Sequence, residues 1–235
     1  MKARRKGRQT TRLFLPGLLL IAVMLVILAW AGVRAYGAWH FLAARSITTS
    51  MIETTGVSQS GINEATARIK LALKRFPANP EYLDLAGKLQ SLQALQYGVP
   101  GKAQREALES SAEYYRKALK ARPLWPYSWT GLLNAKEALG QIDPEFHLAL
   151  AQSIKTGPRE PYVQLQVIKS GLRHWGRLEK TEREMIRETI KDALASQPRE
   201  VFEVVSSYQR PDLICDEDVD YRQIRNWCEI EYASG

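Results

Sequence analysis

Between Leu13 and Val33 the chain runs for 21 residues without a charge, LFLPGLLLIAVMLVILAWAGV, and this stretch constrains everything around it. A helix that crosses the hydrocarbon of a bilayer needs about 20 predominantly apolar residues. Six bases, Lys2, Arg4, Arg5, Lys6, Arg8 and Arg12, precede the run without an intervening acid. Lys and Arg in a short flank resist translocation, so this end is expected to stay in the cytoplasm and the remainder to be exported. Trp30, Tyr36 and Trp39 stand at the far boundary, where amphipathic rings favour the interface. A cleaved signal peptide is the alternative, since Ala29-Trp30-Ala31 offers small residues at the cleavage spacing. Both readings export the body of the protein. A bacterial inner membrane is the expected location, with the C-terminal domain in the periplasm.

The same flank accounts for the charge. The chain carries 33 Lys and Arg against 25 Asp and Glu, a formal +8, and seven of those bases lie in residues 1–34 with no acid among them. The remaining 201 residues hold 26 bases and 25 acids. Nucleic-acid binding needs clustered bases over the domain that binds, so no nucleic-acid partner is expected.

Beyond residue 60 the informative feature is recurrence. Pro77-Ala-Asn-Pro80, Pro123-Leu-Trp-Pro126 and Pro158-Arg-Glu-Pro161 share one pattern, and Pro198-Arg-Glu-Val201 lacks its second proline. The spacings of 46, 35 and 40 residues suit a two-helix repeat. The first proline stops a helix, and the second fits the first position of the next, where no N–H is needed. Twelve, eight and five residues upstream stand Ala65, Ile69, Ala72; Ser111, Tyr115, Ala118; Phe146, Leu150, Ser153; and Ile186, Ile190, Ala193. Steps of four and three place each trio on one helical face. Asn79-Pro80 and Asp143-Pro144 read as N-caps with proline following, and Thr181-Glu-Arg-Glu184 has the capping-box form.

These residues resemble the tetratricopeptide repeat. Trp129 and Leu132 match its first-helix signature, Ser111, Tyr115 and Ala118 its second-helix positions, and Pro123 its closing proline. Gly87 matches the glycine of the first unit, whereas Leu133 and Ile168 replace it later and Lys136 stands where the family has tyrosine. The resemblance is thus a degenerate one over residues 61–205. It implies an all-α fold: an N-terminal transmembrane helix, then two to four tetratricopeptide-like units in a short right-handed solenoid. The expected organisation is a basic arm (1–12), the span (13–33), a juxtamembrane linker (34–60) that leaves the membrane as a helix and ends in the short linker TTGVSQSG, the helical domain (61–205) and a capping tail (206–235).

Catalytic constellations are scarce, so no enzyme activity, cofactor or metal is expected. His40, His147 and His174 share no ligand spacing. Gly98-Val-Pro-Gly101-Lys102 lacks the spacing of a phosphate loop. Asp216, Asp218 and Asp220 alternate like calcium ligands, but Tyr221 and Trp227 occupy the places of the required glycine and glutamate. Cys215 and Cys228, the two cysteines, are a candidate disulfide in an exported domain, with two separate buried thiols as the alternative.

The resemblance also implies a surface. First helices of tetratricopeptide units line a groove for extended partner segments, which projects onto Glu81, Asp84, Lys88, Tyr127, Thr130, Asn134, Glu137, Tyr162, Leu165, Lys169 and Arg173. Trp129 and Tyr115 are expected in the core. The segment Arg122 to Leu172, together with the N-terminal helix and the cysteine-containing tail, is similar in pattern to the small VpsP-like proteins of bacterial exopolysaccharide gene clusters. That similarity implies a non-catalytic scaffold beside the synthesis and export machinery. A general envelope chaperone or cell-division adaptor, and a glycan-binding module, are the alternatives.

Overall fold

A computed structural model of the chain describes residues 7–98, 100–215 and 221–233. The bases Lys2, Arg4, Arg5 and Lys6 and the acidic run Asp216–Asp220 lie outside the described residues. The fold is all-α, with one N-terminal helix long and apolar enough to cross a membrane.

That helix, α1 (Gly7–Ser50), has 44 residues. At about 1.5 Å per residue it is about 66 Å long, roughly twice the ~30 Å of a hydrocarbon core. Its apolar part packs against nothing: Leu18, Leu19, Leu20, Ile21, Leu25, Val26 and Leu28 are all exposed. Its last turns behave differently. Gly37, His40, Ala44, Thr48 and then Met51 are buried, at steps of three and four that mark one face. The helical exit expected at the start of the juxtamembrane region runs to Thr55, through a π-helical turn Met51–Thr55, and leaves only residues 56–58 as a linker. It supplies the first helix of the packed array.

Eight helices continue that array: α2 (Gln59–Arg75), α3 (Pro80–Gln96), α4 (Lys102–Ala121), α5 (Pro126–Ala138), α6 (Pro144–Thr156), α7 (Pro161–Arg173), α8 (Lys180–Leu194) and α9 (Pro198–Ser207). Each packs on its neighbour in sequence, and α1, α3, α5, α7 and α9 also touch in succession. This is a row of antiparallel hairpins in which alternate helices line one side. Proline sits at the first position of α3, α5, α6, α7 and α9. Pro198 opens α9 instead of closing α8, so the fourth copy of the motif retains the second proline's role. Asn79 Oδ1 accepts from the Glu81 and Tyr82 amides at 3.0 and 3.3 Å, and Asp143 Oδ1 accepts from the Glu145 and Phe146 amides at 3.1 Å. The capping box of α8 lies two residues earlier than its sequence form suggests. Glu182 accepts from the Glu179 amide at 2.8 Å, because the helix already begins at Lys180.

All twelve residues of the four upstream trios are buried. They face two main cores: one formed by α1, α2 and α3, the other by α4 onward. Tyr115 of α4 joins the two. Its ring lies against Gly87 of α3 and Gly131 of α5, where built Cβ atoms would collide with it. Ser111 Oγ donates to the Gly87 carbonyl at 2.9 Å. Trp129 is partly buried against the second core, its Nε1 donating to the Pro123 carbonyl at 2.7 Å.

The last helix, α10 (Arg222–Ala233), folds back on the array. Leu213, Ile214, Ile224 and Cys228 enter the second core, and Phe202 of α9 meets Tyr221 and Trp227 edge-on. Cys215 and Cys228 are disulfide-bonded, with Cα atoms 5.5 Å apart. An apolar end face of a helix row must be covered, and this pinned tail covers it.

Candidate functional site

On the side lined by alternate helices, α1, α3 and the α4–α5 turn enclose an open cleft of about 360 Å³. Phe41, Arg45, Thr48 and Thr49 of α1 form one wall. Glu81, Asp84, Leu85 and Lys88 of α3 form the other, and Trp125 closes one side. The spacing follows from helix geometry: Phe41, Arg45 and Thr48, and likewise Glu81, Asp84, Leu85 and Lys88, fall on one face at steps of three and four.

The cleft combines two cations, two carboxylates and two aromatic rings. Arg122 pairs with Glu81 at 3.7 Å and its guanidinium covers the Trp125 ring at 3.6 Å. Asp84 is the most constrained group. Burial raises its carboxyl above the usual range, opposed by the hydrogen bond that the Ser128 hydroxyl donates to it and by the nearby charges of Lys88 and Arg122. Ser128 is itself buried in α5, so Asp84 is fixed from behind. Arg45 and Lys88 are exposed. Such a surface suits a short extended segment carrying both an acidic group and an apolar side chain, since charged groups give register and an aromatic wall gives contact area. Among the described residues no three His, Cys, Asp or Glu side chains converge as metal ligands do.

The projected groove residues separate into distinct groups. Glu81, Asp84 and Lys88 come together in the cleft. Thr130 does not reach a groove: it is fully buried, donating to the Pro126 carbonyl at 2.9 Å and lying 3.3 Å from Ser153 Oγ. In this shallow row its side of α5 faces α6. Tyr127, Asn134, Glu137 and Arg173 are engaged with one another's helices. Tyr127 donates to Glu160 at 2.6 Å, which with burial raises the phenol's pKa. Asn134 donates to Gln166 at 3.3 Å, and Arg173 donates to Glu137 at 2.5 Å. These contacts tie α5 to α7. Tyr162 stacks on Tyr127 with ring centroids 6.1 Å apart and stays 51% exposed. Leu165 packs half-buried on the core, and Lys169 is exposed.

Sequence reasoning missed Phe41, Arg45, Thr48, Thr49 and Trp125. The first four lie in the stretch read as a linker. Their signal was present in Gly37, His40, Ala44, Thr48 and Met51, a small-residue and apolar stripe at helical spacing.

No protein-family model matches this chain, and no curated protein matches it.

Proposed function

We propose that this protein is a non-catalytic, membrane-anchored adaptor that holds an extended segment of a partner protein in the cleft between α1 and α3. The observation that carries the reading is the cleft itself: aromatic walls at Phe41 and Trp125 beside two exposed cations, Arg45 and Lys88, and a carboxylate fixed by Ser128. The six bases ahead of the apolar run support a cytoplasmic N-terminus. The disulfide between Cys215 and Cys228 supports an oxidising compartment, so the helical array is assigned to the periplasmic side of a bacterial inner membrane. The similarity in pattern to VpsP-like proteins supports a scaffold role in exopolysaccharide biosynthesis or export.

A photo-crosslinking amino acid at Phe41 or Lys88, activated in living cells, tests this. Capture of a polysaccharide synthesis or export protein, lost in Arg45→Glu/Lys88→Glu, is the expected result. Capture of many translocation clients and no such protein would replace it with an envelope chaperone. A glycan-binding module has one observation in its favour, the stacked and half-exposed Tyr162. It predicts perturbation of Tyr162 on titration with oligosaccharides, independent of the cleft variants.

A further inference from the structure

Antiparallel packing puts every second turn of the array at one end, the end at which α1 departs along its apolar run. The α2–α3 turn returns to the level of Arg34. The Arg34 guanidinium lies 5.2 Å over the Phe76 ring, and a Cβ built on Gly37 would meet Phe76 at 2.7 Å. The α4–α5 turn stands beside it, through Arg122 and Glu81 at 3.7 Å. The α6–α7 turn stands beside that, with Gly157 packed on Pro126.

These three turns share a feature beyond their prolines. They read Lys74-Arg-Phe-Pro77-Ala-Asn-Pro80, Lys120-Ala-Arg-Pro123-Leu-Trp-Pro126 and Lys155-Thr-Gly-Pro158-Arg-Glu-Pro161, each with a lysine three residues before the first proline. Together they hold six bases and one acid, Glu160, which is engaged by Tyr127. Lys74, Lys120, Lys155 and Arg159 are exposed and have no carboxylate partner among the described residues. Leu124 projects between them, 78% exposed, more than any described apolar side chain of the membrane-crossing run. The fourth turn at this end, α8–α9, adds no charge; at the opposite end, over the same reach from two residues before each turn to the first residue of the next helix, the α1–α2, α3–α4, α5–α6 and α7–α8 turns carry four bases, Lys102, Arg173, Arg177 and Lys180, and four acids, Glu53, Glu137, Asp143 and Glu179. The charge asymmetry is therefore between the two ends of the array.

We propose that the end formed by these three turns docks on anionic lipid headgroups of the leaflet that α1 leaves, with Leu124 at the boundary between headgroups and acyl chains. The proposal rests on α1 crossing that bilayer. Charge complementarity and continuity with α1 select this occupant: the turns already lie beside the point of entry. Lys and Arg close to an anionic surface are each attracted enough to change surface occupancy about five-fold, and the effect fades within a Debye length of about 8 Å. Docking also sets the height of the cleft. Arg45 stands 11 residues beyond Arg34 on the same helix, about 16 Å at the helical rise, so the partner segment it receives is juxtamembrane.

The test uses the full chain in vesicles of phosphatidylcholine alone and of phosphatidylcholine with phosphatidylglycerol. A nitroxide is attached in separate variants at Leu124→Cys, at Gln141→Cys on the distal end, and at Leu25→Cys inside the apolar run. Collision with oxygen and with an aqueous nickel chelate reports depth. The expected result is that the label at 124 moves into the interface only in the anionic vesicles, while that at 141 stays aqueous in both. Lys74→Gln/Lys120→Gln/Lys155→Gln lowers the docked population about a hundred-fold, three bases at about five-fold each, and returns label 124 to water. Label 124 equally aqueous in both lipids, with label 25 embedded, overturns the docking alone. Label 25 outside the hydrocarbon overturns the membrane crossing and the docking with it.

Discussion

Gly131→Ala should destabilise the protein, against the helix propensity of the new residue. Alanine in a helix interior is favoured over glycine by about 1 kcal/mol. At position 131, however, a Cβ would overlap three atoms of the Tyr115 ring. That ring is 5% exposed, and its other side rests on Gly87 at 3.0–3.1 Å from a built Cβ. It has no room to recede. Inserting a methyl group into a filled core costs about 1–3 kcal/mol, and a ring blocked on both sides belongs at the upper end. The net loss is then about 1–2 kcal/mol, or roughly 2–8 °C in melting temperature for a chain of this size. Gly87→Ala meets the ring less closely, so its gain and its cost nearly cancel. Thermal melting of the full chain in detergent micelles, followed by helical circular dichroism, measures both. Adding Tyr115→Leu supplies the control: the ring's removal should cost less in the Gly131→Ala background than alone, a coupling of about 1–2 kcal/mol. A stabilised Gly131→Ala variant, or strict additivity with Tyr115→Leu, would refute the idea that the tyrosine wedge sets the spacing of α3 and α5.

Three further outcomes follow from other contacts. Lys136 is 3% exposed and bonds Asp143 at 2.5 Å and Glu145 at 3.2 Å; Lys136→Ala should cost about 2 kcal/mol, below the range for fully buried pairs because both acids touch solvent, whereas Lys136→Met, which keeps the packed stem, should cost less in guanidinium unfolding. Two hydrogen bonds from Arg116, at 2.6 and 2.7 Å, hold the Glu145 carboxyl below its ordinary 4.5; a depressed folded-state pKa contributes stability above pH 4.5 that is lost as pH falls through the folded value, so Glu145→Gln should flatten the acid limb of the melting-temperature profile. Reducing the Cys215–Cys228 bond, which closes a short loop, should cost about 3 kcal/mol, read as faster amide exchange in α10 with α2–α6 unchanged.

Local physical rules were legible in the chain. An uncharged run of bilayer length, prolines that end and begin helices, and trios at steps of four and three each express a constraint that acts within a few residues. Helix content and the buried faces of α2, α4, α6 and α8 therefore follow from order alone. Three things did not. Residues 34–50 carry Gly37, His40, Ala44 and Thr48 at helical spacing among polar and aromatic side chains, and only contact with α2 shows that this face is buried in the array. Thr130 has the spacing of a groove residue, but the rotation of α5 about its axis turns it inward to Ser153. Lys136 stands where the repeat family has tyrosine, and only the fold shows that Asp143, seven residues on, comes back to meet its ammonium group. Burial of a polar side chain depends on which partner the fold brings to it, and that partner is a property of the packed array.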